Sequence, residues 1–83
     1  MRSFRFSFLV ADESYDGDVL ENDLVLVIAS VENNLYIEEI DVTIEDDSKV
    51  SFVVTSLILT REEVEGILIT ALYTKSKTSF ILW

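Results

Sequence analysis

Oxygen-bearing side chains alternate around a glycine near the start of the chain. Four are carboxylates and one is a hydroxyl: Asp12, Ser14, Asp16, Asp18 and Asp23. Gly17 stands among them and permits a sharp turn. A hard cation such as Ca²⁺ or Mg²⁺ is held by several oxygen ligands, which such a segment can supply. One hypothesis is therefore a cation site built from these five side chains. The alternative is an acidic loop that caps the helix after it.

The same segment, residues 12–23, resembles the calcium-binding loop of EF-hand proteins. Asp12 and Asp16 match acidic ligand positions of that loop, and Gly17 matches its central glycine. The resemblance implies Ca²⁺ as a cofactor. Leu20 and Asp23 depart from the pattern, because the first replaces a polar residue and the second is shorter than the usual bidentate glutamate.

Catalytic chemistry has few candidates. The chain contains no histidine and no cysteine, so the usual general bases and activated nucleophiles are missing. Glu39, Asp41 and Glu45 alternate along one predicted strand, where next-nearest side chains are about 7 Å apart. A carboxylate pair at such a separation can act as acid and base, but a solvated sheet face explains the pattern more simply. We expect a protein that is not an enzyme.

Acidic charge is concentrated in the first half of the chain, and the formal net charge is −10. All six basic residues lie outside residues 6–48. That stretch holds thirteen carboxylates: Asp12, Glu13, Asp16, Asp18, Glu21, Asp23, Glu32, Glu38, Glu39, Asp41, Glu45, Asp46 and Asp47. Such a field attracts basic protein surfaces and repels nucleic acids and anionic membranes. The alternative is that the charge serves solubility alone.

Hydrophobic periodicity in residues 1–32 predicts a strand and then a helix. Residues 3–10 alternate apolar and polar side chains, as a half-buried strand does. Residues 19–32 contain enough β-branched side chains to form a strand. Their apolar side chains nevertheless recur at helical spacing: Leu20, Leu24, Val27, Ile28 and Val31. Asp18 and Glu21 also resemble an N-terminal capping box. We predict a helix, with an all-β protein as the alternative.

The second half predicts two strands, a helix and a last strand. Residues 35–45 again alternate. One sheet face should carry Tyr36, Glu38 and Ile40 together with two further apolar residues. The opposite face should carry Glu39, Asp41, Thr43 and Glu45. Residues 50–59 are nearly all apolar, as in a central strand. Thr60 and Glu63 form a capping box that begins a helix extending to about residue 75, and residues 78–83 read as a strand.

The element order is therefore β-α-β-β-α-β, which predicts one α+β domain over residues 1–83 with the ferredoxin-like arrangement. Right-handed crossovers give a four-stranded antiparallel sheet in the order 4-1-3-2, with both helices on one face. No cysteine calls for an oxidising compartment, so a cytoplasmic location is expected. No apolar run is long enough for a membrane span.

Residues 34–43, residues 50–54 and the helix over 60–75 together resemble the later part of ACT regulatory domains. These domains share the β-α-β-β-α-β order and usually bind amino acids where two domains pair. The resemblance implies a small-ligand sensor. The family's glycine at the first strand-to-helix turn has no clean equivalent here, because Gly17 lies within a longer acidic loop.

The leading hypothesis is an interaction protein that is not an enzyme and that presents acidic side chains to a basic protein. Such a partner could be a nucleic-acid-binding protein, inhibited by a surface that imitates nucleic-acid charge. The expected contacts are Glu38, Glu39, Asp41, Glu45, Asp46 and Asp47. The alternatives are the ACT-like amino-acid sensor and the Ca²⁺ or Mg²⁺ module. We expect a monomer or weak homodimer that binds neither nucleic acid nor membranes directly.

Overall fold

A computed structural model describes residues 2–10, 17–46, 49–76 and 79–82. The elements are β1 (Arg2–Val10), α1 (Gly17–Glu32), β2 (Ile37–Asp46), β3 (Lys49–Ser56), α2 (Arg61–Lys75) and β4 (Phe80–Leu82). The sheet order is β2-β3-β1-β4, and every pair of neighbouring strands is antiparallel. The predicted α+β, ferredoxin-like arrangement is confirmed, and the all-β alternative is wrong because residues 17–32 are helical.

The core lies between the helices and one face of the sheet. Alternation along β1 and β3 turns Phe6, Phe8 and Phe52 toward the helices, where all three are buried. Phe8 contacts Phe52 and Phe80 edge to face, with ring centroids 5.8 and 6.3 Å apart. These aromatic contacts anchor the sheet side of the core.

Helix α1 buries the apolar stripe that its sequence predicts. Leu20, Leu24, Val27 and Val31 are all buried against the core. These four residues recur at the spacing that places side chains on one helix face. Ile28, the fifth residue of the predicted stripe, is partly buried against the core, whereas Val25 and Leu26, outside the stripe, are exposed.

Helix α2 begins with the predicted capping box. Thr60 Oγ1 accepts a hydrogen bond from the Glu63 amide at 3.3 Å, and Glu63 Oε1 accepts one from the Thr60 amide at 3.1 Å. The two bonds satisfy amides that a helix start otherwise leaves unpaired. None of the helices in the described ranges is long and apolar enough to cross a membrane.

The start of β2 differs from the predicted alternation. Tyr36 is exposed, whereas Ile37 is buried and pairs with Ser56. Glu39 pairs with Thr55, the immediate neighbour of Ser56, so Glu38 has no partner in β3 and is the extra residue of a β-bulge. The prediction that Tyr36 and Glu38 share the apolar face is wrong, because this bulge changes the phase of the strand.

Strand β3 ends at Ser56, three residues earlier than predicted. Ser56 Oγ donates to the Tyr36 carbonyl at 2.6 Å and accepts from the Leu59 amide at 3.1 Å. Leu57 and Ile58 are exposed in the connection that follows. A buried serine therefore holds the α1–β2 and β3–α2 connections together.

Candidate interaction surface

The acidic residues of β2 lie on the outermost strand of the sheet. Glu39 is opposite Thr55 and Asp41 is opposite Val53, on the face that the helices do not cover. Glu38, the bulge residue, is exposed as well. We call Glu38, Glu39 and Asp41 the acidic edge. Among the residues that the structure describes, these three carboxylates form no ion pair.

Glu45 has partners within the chain and differs in this from the acidic edge. One of its carboxylate oxygens accepts from Arg5 and, at 3.0 Å, from the Ser51 hydroxyl. The other oxygen lies 3.1 Å from Lys49 Nζ. The hydrogen bonds from Lys49 and then Ser51 lower the pKa of Glu45 below its ordinary value. Arg5 and Lys49 thus offset the negative charge of Glu45.

Pairs of hydroxyl groups on β1 and β3 hydrogen-bond to each other in the middle of the same sheet face. Ser3 and Thr55 hydrogen-bond to each other at 2.8 Å, and Ser7 and Ser51 do so at 3.1 Å. Ser51 and Thr55 are buried although no helix covers them. These four hydroxyls therefore satisfy one another within the sheet face.

The remaining predicted contacts of β2 are only partly described. The backbone of Asp46 pairs with Lys49 at the end of β2. Its side chain and the whole of Asp47 lie outside the described residues. The structure therefore brings together Glu38, Glu39 and Asp41 and places Glu45 in a separate cluster.

The proposed cation segment falls largely outside the described residues. This applies to Asp12, Ser14, Asp16 and the side chain of Asp18. Asp23 lies within α1, is only 4% exposed, and accepts from Ser76 Oγ at 3.1 Å. Within the described ranges no group of three or more potential ligands could hold a metal ion. Cation binding by residues 12–23 stays a prediction.

A groove that the sequence did not predict lies along α2. Its volume is about 660 Å³. Its lining residues come from both helices and the connections next to them: Ser30, Asn34, Tyr36, Leu59, Glu63, Gly66, Ile67, Thr70, Ala71 and Thr74. The one sequence signal was a glycine in a helix interior, since Gly66 shares a helix face with Glu63 and Thr70.

Comparison with known protein families, curated proteins and solved structures finds no match to this chain. The resemblance to ACT domains thus stays a prediction.

Proposed function

We propose that the protein binds a basic protein partner through the acidic edge and has no catalytic activity of its own. The observation that carries this proposal is the contrast between Glu45, whose charge Arg5 and Lys49 offset, and the exposed carboxylates of Glu38, Glu39 and Asp41. An exposed carboxylate that has no ion-pair partner among the described residues is available to an incoming cation.

The position of these residues supports the same proposal. An outermost strand can be approached from its edge and from the open sheet face, so a partner could contact Glu39 and Asp41 together. The net charge of −10 adds attraction over a longer range, which mainly accelerates encounter. A nucleic-acid-binding protein is the class of partner that we propose, because its natural ligand is also strongly negative.

The test begins with capture of a partner from the source cell at low salt on the immobilised protein. Association rates are then measured for the wild type, for Glu39→Lys with Asp41→Lys, and for a control with Glu21→Lys and Glu65→Lys. Both double variants have the same net charge. The control changes lie on the helices, outside the acidic edge.

The acidic-edge variant should associate severalfold more slowly at low salt, and the difference should shrink as salt rises. The control should be slowed less. Equal slowing of both variants would show that only net charge matters and would contradict a defined site. A DNA duplex that displaces the partner would support a nucleic-acid-binding protein, and failure to compete would contradict that class.

A further inference from the structure

Gly66 lines the groove along α2 at a place where a side chain would enter open space. A Cβ atom built at this residue meets no heavy atom within 4 Å. Its backbone is not in the left-handed region either, so its conformation does not require glycine. Glycine within a helix is unfavourable compared with alanine. Neither the backbone nor the packing accounts for Gly66, whereas an open groove does.

Exposed apolar side chains occur in the two connections that contribute Tyr36 and Leu59 to the groove. Leu35 is 91% exposed and Ile58 is 66% exposed, and Leu57 is exposed beside it. These side chains belong to the two connections that Ser56 holds together, and Tyr36 and Leu59 of the same connections line the groove. Adjoining exposed apolar residues beside a groove are typical of a binding surface.

Among the described residues that line the groove, Glu63 is the only charged one, and it is acidic. Arg61, two residues earlier, is directed to β1 instead, where it donates to the Arg5 carbonyl at 3.0 Å and lies 4.6 Å from the centre of the Phe6 ring. Arg2 and Ile37 pair with the same residue of β3 from opposite sides, so their Cα atoms are about 10 Å apart. The complementary ligand is therefore apolar with a positive charge beside it.

We propose that this groove takes an aromatic or branched aliphatic side chain from a basic segment of the protein partner, with a neighbouring Lys or Arg paired to Glu63. This inference rests on the proposed function, because it assigns a second contact to the same class of partner. The groove is an open depression of about 660 Å³, so a large side chain would lie along it with one side still facing solvent. A second copy of the chain fits less well, since two molecules of charge −10 repel each other.

Three capped pentapeptides provide defined probes. In the first, lysines flank a central phenylalanine; in the second, lysines flank alanine; in the third, glutamates flank phenylalanine. Binding is followed by NMR through the amide signals of residues that line the groove. The first peptide should shift the signals of Ser30, Gly66 and Thr70 and bind about tenfold more tightly than the second, because it buries a large apolar side chain. The third should not bind.

The variant Gly66→Leu fills the groove. It should reduce the affinity of the lysine–phenylalanine peptide to that of the lysine–alanine peptide and leave the latter unchanged. Gly66→Ala, which adds a single methyl group, should have a smaller effect, and thermal melts establish that both variants fold. Glu63→Gln retains a capping acceptor but loses the charge. It should therefore lower the affinity for the lysine–phenylalanine peptide at low salt only.

The outcomes separate this inference from the proposed function. Wild-type affinity of Gly66→Leu for the lysine–phenylalanine peptide overturns the groove assignment. If the captured partner is lost by Glu39→Lys with Asp41→Lys but retained by Gly66→Leu, the proposed function stands and the groove inference fails. If the captured partner is lost by Gly66→Leu but retained by Glu39→Lys with Asp41→Lys, the groove inference is supported and the acidic edge is not the binding site. Self-association that Gly66→Leu abolishes in sedimentation would show that a second copy fills the groove, which also overturns the inference.

Discussion

Replacing Gly66 with alanine should stabilise the protein. Gly66 is the sixth of the fifteen residues of α2, and an added Cβ has no neighbour within 4 Å to displace. The change gains the difference in helix propensity, about 1 kcal/mol, part of which comes from restricting the unfolded chain. For a domain of this size, that gain corresponds to a rise in Tm of about 4–8 °C.

Urea unfolding followed by circular dichroism measures this gain. The midpoint should rise by about 0.5–1 M with no change in the slope m, since the surface exposed on unfolding is nearly the same. Ala29→Gly is a matched reverse change at an exposed residue of α1, and it should lower the stability by about 1 kcal/mol. Loss of stability in Gly66→Ala would mean that side chains close over this residue, and it would remove the basis for an open groove.

Three further predictions concern a cap, an ion pair and a cation. Thr60→Ala removes the acceptor of the capping box and should cost about 1 kcal/mol in urea unfolding, whereas Thr74→Ala, at an exposed hydroxyl, should change little. The pKa of Glu45 is lowered in the folded state, so its contribution is present above the ordinary value of 4.5 and is lost as pH falls through the lowered pKa. Glu45→Gln should therefore be less stable than the wild type at neutral pH and approach it in acid; an equal difference at every pH would contradict the assignment. If residues 12–23 bind Ca²⁺, millimolar CaCl₂ should raise Tm by mass action, and Asp12→Asn with Asp16→Asn should abolish the rise; an unchanged Tm in the wild type would exclude the site.

The elements that could be predicted are those whose signals are local. Leu20 and Leu24 begin a helical stripe that outweighs the β propensity of residues 25–28 after them, because one face of the helix must be buried. Thr60 and Glu63 are three residues apart, and their two hydrogen bonds require no contact distant in the sequence. Periodicity and capping chemistry were sufficient in both cases.

The bulge at Glu38 could not be predicted from alternation alone. Ile37 and Ile40 are three residues apart and both are buried, which a strand of period two permits only if it contains an extra residue. Beside the bulge, Ser56 pairs with Ile37 and donates to the Tyr36 carbonyl, a contact across twenty residues. Local pattern carries no information about such a contact.

The candidate site was predicted in part for the same reason. Glu39 and Asp41 are exposed, as the predicted alternation required, whereas Glu38 was predicted on the apolar face and is exposed as the residue of the bulge. Glu45 was grouped with them, but its partner Arg5 lies forty residues away in the sequence and reaches it only across the folded sheet. The groove was missed because its walls belong to α1 and α2, whose relative placement no local pattern specifies.

An edge strand also needs charge for a reason unrelated to binding. Unpaired strand edges promote association between sheets, and charged side chains on an outermost strand prevent it. Glu39 and Asp41 could serve that purpose alone, and lysine would serve it equally well because repulsion does not depend on sign. A partner, however, does distinguish the sign. Glu39→Lys with Asp41→Lys should thus keep the fold and the oligomeric state of the wild type under either explanation, and only a binding function predicts that association with a basic partner slows.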